Sequence, residues 1–148
     1  MYANNEIGSK SGDNFMIPIK IETLLEGRKV EQNRIEYKEG FNPTDIVHTI
    51  CAYANDIAGV DGGYLVIGVK AENGIPVLPP VGLPSELLDD IQLKIFQYCN
   101  KIEPRYIPKI DVVEYKGVNL VCLKCAAGNA GPYQAPVDVY SKKESGKD

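Results

Sequence analysis

Glu31 and Glu36 stand five positions apart in the stretch EQNRIEYK, with Arg34 and Lys38 between and just beyond them. Carboxylate oxygens are the ligands that divalent ions such as Mg²⁺ or Mn²⁺ take, and a bound ion can activate water and offset charge on a scissile phosphate. Asp61 or Glu72, brought near by a sheet, would supply a third carboxylate, while Arg34 and Lys38 would hold a phosphate backbone. On an uninterrupted strand Glu31 and Glu36 face opposite sides, because side chains alternate with period 2. A shared metal site therefore requires Glu31 to lie in a turn, helix end or bulge ahead of the strand. Solvated charges on an edge strand are the competing reading of the same residues.

The glycine-rich stretch DGGYLVIGV, 61–69, invites a phosphate-loop reading and does not satisfy one. A nucleotide-binding loop needs GxxxxGK followed by Ser or Thr, and a dinucleotide fingerprint needs GxGxxG between a strand and a helix. Here Gly62 and Gly63 precede a strand, which points to a tight entry and close approach of neighbouring backbone. Cys51, Cys99, Cys122 and Cys125 read as core thiols. Cys122 and Cys125 have CxxC spacing, but strand alternation puts them on opposite faces, and a zinc site needs more ligands. His48 is the single histidine and falls off the apolar stripe of its helix, so a solvated or locally hydrogen-bonded role is expected and a histidine-rich metal site is excluded.

With 16 basic and 20 acidic residues, net charge −4, the chain offers no global attraction to nucleic acid or to an anionic membrane. Binding to DNA or RNA must rest on local clusters. Lys101, Arg105, Tyr106 and Lys109 form one, and Tyr133, Tyr140, Lys142 and Lys143 another; phosphate pairing and base stacking are their natural uses. Ordinary surface lysines and core-margin tyrosines account for the same residues. No signal-peptide core and no apolar run near 18 residues is present, which predicts a soluble, cytoplasmic protein without membrane partners.

The 148 residues suit one domain. Residues 1–14 read as a flexible leader, 15–140 as the domain and 141–148 as a tail; the ending GKD looks cut, which leads to the expectation of a further C-terminal domain. Ile21–Glu26 suggests a helical turn and 31–38 a strand. Asn42 or Thr44 can cap a helix over 43–57, with Pro43 in the first turn and Ile46, Val47, Ile50, Cys51 and Ala54 as its buried stripe. YLVIGV reads as a buried strand. A second helix is expected from Ser85 to about Tyr98, then a hairpin of Lys109–Tyr115 and Asn119–Cys125 turning at Lys116 and Gly117. A short pairing segment is expected near Val137–Tyr140. These elements predict an α+β two-layer sandwich, a mixed or largely antiparallel sheet packed by at least two helices, with Glu36 and the strand from Tyr64 near the sheet centre.

RIEYKEG at 34–40, TICAYAND at 49–56 and GGYLVIGV at 62–69, in that order, resemble the Schlafen-like, Alba-related domain also labelled divergent AAA-4; PRYIPKI and GPYQAP fit more loosely. The resemblance covers about residues 20–140. It implies the N-terminal DNA-binding part of a longer bacterial transcriptional regulator or helicase-related protein. Animal Schlafen proteins resembling this domain cleave RNA with two glutamates, an aspartate and a divalent metal. The resemblance carries the first two onto Glu31 and Glu36. At the third the chain has Lys70, Ala71 and Glu72, and NDIAGVDGG is longer than the usual connection, so Glu72 and Asp61 compete for that role.

Three functions follow as expectations. The first is a nucleic-acid-binding regulatory module contacting phosphate through Arg34, Lys38, Lys101, Arg105 and Lys109. The second is an endoribonuclease using Glu31, Glu36 and Glu72 or Asp61, with Glu31 and Glu36 holding Mg or Mn. The third is a protein-interaction or self-association module.

Overall fold

In the computed structural model of the chain, residues 17–26 and 34–140 are described. The expected leader (1–14) and tail (141–148), and with them Glu31, Lys142 and Lys143, lie outside the described residues. The elements run α1 (Ile21–Glu26), β1 (Arg34–Lys38), α2 (Pro43–Asn55), β2 (Gly63–Ile67), a short hairpin β3 (Ala71–Glu72) and β4 (Ile75–Pro76), α3 (Leu88–Cys99), β5 (Lys109–Tyr115) and β6 (Val118–Cys125).

α2 forms for the reasons its sequence gives. The Asn42 side chain accepts a hydrogen bond from the Asp45 N–H (3.1 Å), Pro43 occupies the first turn, and Ile46, Val47, Ile50, Cys51 and Ala54 are buried together. The helix stops at Asp56, which turns left-handed (φ 44°). α3 starts later than Ser85: Ser85–Leu87 form a 3₁₀ turn, because Pro84 at the cap position has no side-chain acceptor for the free amides. Asn73 and Gly74, both at positive φ, make the tight turn between β3 and β4.

The main sheet has the order β1-β2-β6-β5, parallel between β1 and β2 and antiparallel elsewhere. It is the mixed α+β arrangement the sequence predicts, with α2 and α3 packed on one face. β2 is buried at all five positions because both of its faces are covered. Leu65 and Ile67 join the core with α2 and α3, while Tyr64 and Val66 pack with Leu24 and Leu25 of α1 on the other side. Cys125 and Cys122 fall into these two cores respectively, as strand alternation requires.

Two expectations are corrected. Glu36 is not near the sheet centre, since β1 is an edge strand and the β5–β6 hairpin pairs with the other side of β2. β1 carries Arg34, Glu36 and Lys38 on one face, which suits an edge, whereas the apolar β2 suits the interior. Val137–Tyr140 forms no strand. The segment from Tyr133 to Tyr140 instead runs along α2 and against α3: Asn55 binds the Tyr133 backbone, His48 Nε2 donates to the Pro136 carbonyl (2.8 Å), the Val139 N–H donates to Thr44 Oγ1 (3.3 Å), and Tyr98 meets the Tyr140 ring edge-on. The bridge in this part of the chain is Glu103 with Gln134.

Candidate nucleic-acid interface

Strand register brings the basic residues to one end of the sheet. Arg34 pairs with Gly63, Gly63 with Cys125, and Lys109 with Lys124, so the starts of β1, β2 and β5 lie beside the end of β6. Arg34 projects on the helix face, its guanidinium 5.2 Å from the centre of the buried Tyr53 ring. Lys109 and Lys124 project on the opposite face. Lys124 sits 4.6 Å over the Tyr64 ring and its ammonium is 3.5 Å from the Asp61 carbonyl. Lys101 and Arg105 lie on the connection from α3 into β5: Lys101 donates to the Val139 carbonyl, and Arg105 lies 5.9 Å from the ring of the exposed Phe96. Lys38 is elsewhere, at the far end of β1, bound to Asp45 of α2 (2.7 Å) and next to Glu36 (3.6 Å).

The glycine-rich loop is already occupied by a carboxylate of the chain. Asp56 accepts hydrogen bonds from the backbone N–H groups of Val60 (3.1 Å), Asp61 (3.0 Å) and Gly62 (2.9 Å). These bonds, the Gly62 amide foremost, hold the Asp56 carboxyl below the usual carboxylate range. The cluster of amides resembles an anion nest, yet the anion is internal. Gly62 (φ 72°) and Gly63 serve close packing: a Cβ on Gly62 would overlap the Cys125 carbonyl oxygen, and one on Gly63 would lie 2.6 Å from both the Arg34 carbonyl oxygen and the Tyr53 ring.

The described carboxylates do not converge. Glu36 is half-exposed on β1 beside Lys38. Asp61 precedes β2, where its Oδ1 accepts from the Ala127 N–H (3.0 Å), whereas Glu72 is exposed in β3 beyond the other end of β2. Among the described residues no three His, Cys, Asp or Glu side chains are grouped to hold a metal ion. Nor do the thiols offer ligands: all four cysteines are buried and unpaired with one another, and burial pushes Cys99 and Cys122 up to about 12.

Three residues important to this region escape the sequence reading. Asp56 falls inside the helix expected over 43–57, although Asp tolerates a left-handed turn and readily binds nearby amides. Asn55 reads as the end of a helix, and its tie to Tyr133 is a long-range contact. Lys124 sits in a strand with no basic neighbour in sequence, so only cross-strand register reveals it.

Taken together, the parallel β1–α2–β2 unit and the antiparallel β5–β6 hairpin define an α+β two-layer domain. The chain belongs to the Schlafen, AlbA_2 family, which it matches over residues 31–148 and whose fold is nucleic-acid-associated. The solution structure of the N-terminal domain of an ATP-dependent DNA helicase RecG-related protein from Nitrosomonas europaea is similar, with TM-score 0.53 and 26% identity, covering 68% of this chain and 67% of that one. The crystal structure of the DIP2311 protein from Corynebacterium diphtheriae is similar in fold, with TM-score 0.53 and 21% identity over 80% of this chain; the match spans 23% of that protein. Among curated proteins none matches the chain. No helix of the described residues is long and apolar enough to cross a membrane.

Proposed function

We propose that this domain is a nucleic-acid-binding module of a bacterial regulatory protein, contacting the phosphate backbone of DNA or RNA through the basic end of its sheet. One observation carries the reading: strand register brings Arg34, Lys109 and Lys124, scattered in sequence, to one end of the sheet, with Arg105 on the connection that leads into β5, in a chain of net charge −4. Basic residues at one sheet end, Arg34 on one face and Lys109 with Lys124 on the other, stand in for the overall positive charge that such proteins commonly show, and the family's nucleic-acid-associated fold supports the same assignment. Lys101 borders the cluster.

Fluorescence anisotropy with labelled hairpin RNA and duplex DNA over a salt series tests this. Each lost phosphate contact lowers the slope of log K against log salt by about 0.9 on duplex DNA and about 0.7 on single strands. Joint neutralisation of Arg34, Arg105, Lys109 and Lys124 to Gln is expected to flatten the slope by two to three such steps (roughly 2–3 units on duplex). Unchanged binding would sink the proposal. The same samples run on denaturing gels with Mn²⁺ examine cleavage: RNA products that vanish in Glu36→Gln would replace this reading with a metal-dependent endoribonuclease in which Glu31 joins Glu36.

A further inference from the structure

On the sheet face that carries α1, one row of side chains crosses all four strands: Ile35, Tyr64, Lys124 and Lys109, each in register with the next. Side chains directly opposed on antiparallel strands are rooted about 5 Å apart, and like charges there oppose pairing. Two ammonium groups in such a position destabilise the free sheet unless a counter-charge lies between them. Among the described residues neither ammonium forms a salt bridge. No ion pair or hydrogen bond joins the Lys109 ammonium to another described side chain. Asp111 shares this face two positions along β5 and forms no salt bridge with either lysine. Lys124, meanwhile, is fixed: the Tyr64 ring lies beneath it at 4.6 Å and the Asp61 carbonyl holds its head at 3.5 Å. Tyr64 is itself only 5% exposed, so the ring is a rigid floor and is closed to a stacking base.

We infer that Lys109 and Lys124 form a clamp for a single backbone phosphate of a bound nucleic-acid strand, with Tyr64 and the Asp61 carbonyl pre-positioning Lys124. The inference rests on the nucleic-acid reading and deepens it by naming the anion and the residues that share it. Two cations rooted so close together are jointly satisfied by one phosphate, whose oxygens serve both, better than by two phosphates that repel each other.

A double-substitution cycle on the full chain tests the clamp, with Lys109→Gln, Lys124→Gln and the pair together titrated against a labelled single-stranded oligonucleotide. Each single change is expected to weaken binding by about threefold to tenfold, and the double change by little more than the larger single one. In urea without nucleic acid, Lys109→Gln, which removes no described contact, is expected to unfold at an equal or higher midpoint than the parent, because repulsion with Lys124 is relieved; a lysine with a merely structural role would lose stability. Additive losses, or binding equal to the parent in all variants, overturn the clamp while leaving the nucleic-acid reading in place. Failure of the parent protein to bind any oligonucleotide overturns both.

Discussion

Asn55 and Tyr133 are joined by two hydrogen bonds: the Asn55 side-chain Nδ2 donates to the Tyr133 carbonyl (3.0 Å), and the Tyr133 N–H donates to Asn55 Oδ1 (2.7 Å). The last residue of α2 thereby does for a distant loop what a neighbouring strand does for its partner. Tyr133 is buried in the main core, and its ring meets Tyr106 edge-on at 5.6 Å. Asn55→Ala leaves the Tyr133 backbone groups without partners and is expected to cost about 1–3 kcal/mol. Asn55→Asp keeps the acceptor for the Tyr133 N–H but sets a carboxylate oxygen against the Tyr133 carbonyl, and at neutral pH should cost at least as much. Urea unfolding measures both; a change within about 0.5 kcal/mol for the Ala variant would show that the loop is held by other contacts.

The two glycines ahead of β2 separate close packing from simple turn formation. Gly62→Ala combines a left-handed backbone with overlap on the Cys125 carbonyl, and Gly63→Ala meets the Arg34 carbonyl and the Tyr53 ring. Gly62→Ala should lose roughly 3–5 kcal/mol, strain and overlap together, and Gly63→Ala roughly 1–3 kcal/mol from overlap alone. Gly40→Ala is the control, since nothing lies within 4 Å of the place its methyl group would take, and it should change stability by less than about 0.5 kcal/mol. Equal effects at all three positions would contradict the packing account.

Asp56 makes acid stability depend on the loop. Its folded carboxyl is held below the unfolded value by the Gly62, Asp61 and Val60 amides, so its contribution is present above the unfolded carboxylate range and lost as pH falls through the folded value. The parent protein should therefore exceed Asp56→Asn in urea midpoint near neutral pH, and the gap should close as the solution is acidified below about pH 4. A gap independent of pH would assign the effect to shape and exclude charge as its source.

Lys38 separates stability from binding. Its ammonium is engaged by Asp45 and Glu36, so Lys38→Gln should lower stability by less than about 1 kcal/mol and leave the salt slope of oligonucleotide binding unchanged. A slope reduced as much as by Lys109→Gln would return Lys38 to the phosphate-contacting set.

The cysteines should be silent in the native state. Burial pushes Cys99 and Cys122 up to about 12 and raises Cys51 and Cys125 as well, and the thiolate is the reactive form. A chromogenic disulfide reagent at pH 8 is expected to give no fast colour in buffer and all four thiols in denaturant. One rapidly reacting native thiol would place that residue at an accessible site.

Local patterns in the sequence determined much of this protein. The 3.6-residue stripe and the Asn42–Pro43 start specify α2, period-2 alternation sends Cys122 and Cys125 to different cores, and the Lys116–Gly117 turn specifies the final hairpin, because each depends on neighbours within a few residues. Only the tertiary structure decided strand order, and with it the site. β1 lies at the edge because β6 pairs with the free side of β2, which is a competition between distant segments that no local pattern encodes. The same pairing sets Lys124 opposite Lys109 and beside Tyr64, and folding the loop onto Asp56 fills an apparent ligand nest with the chain's own carboxylate. Charge clustering arises from register across strands, so residues far apart in sequence become one surface only when the sheet forms.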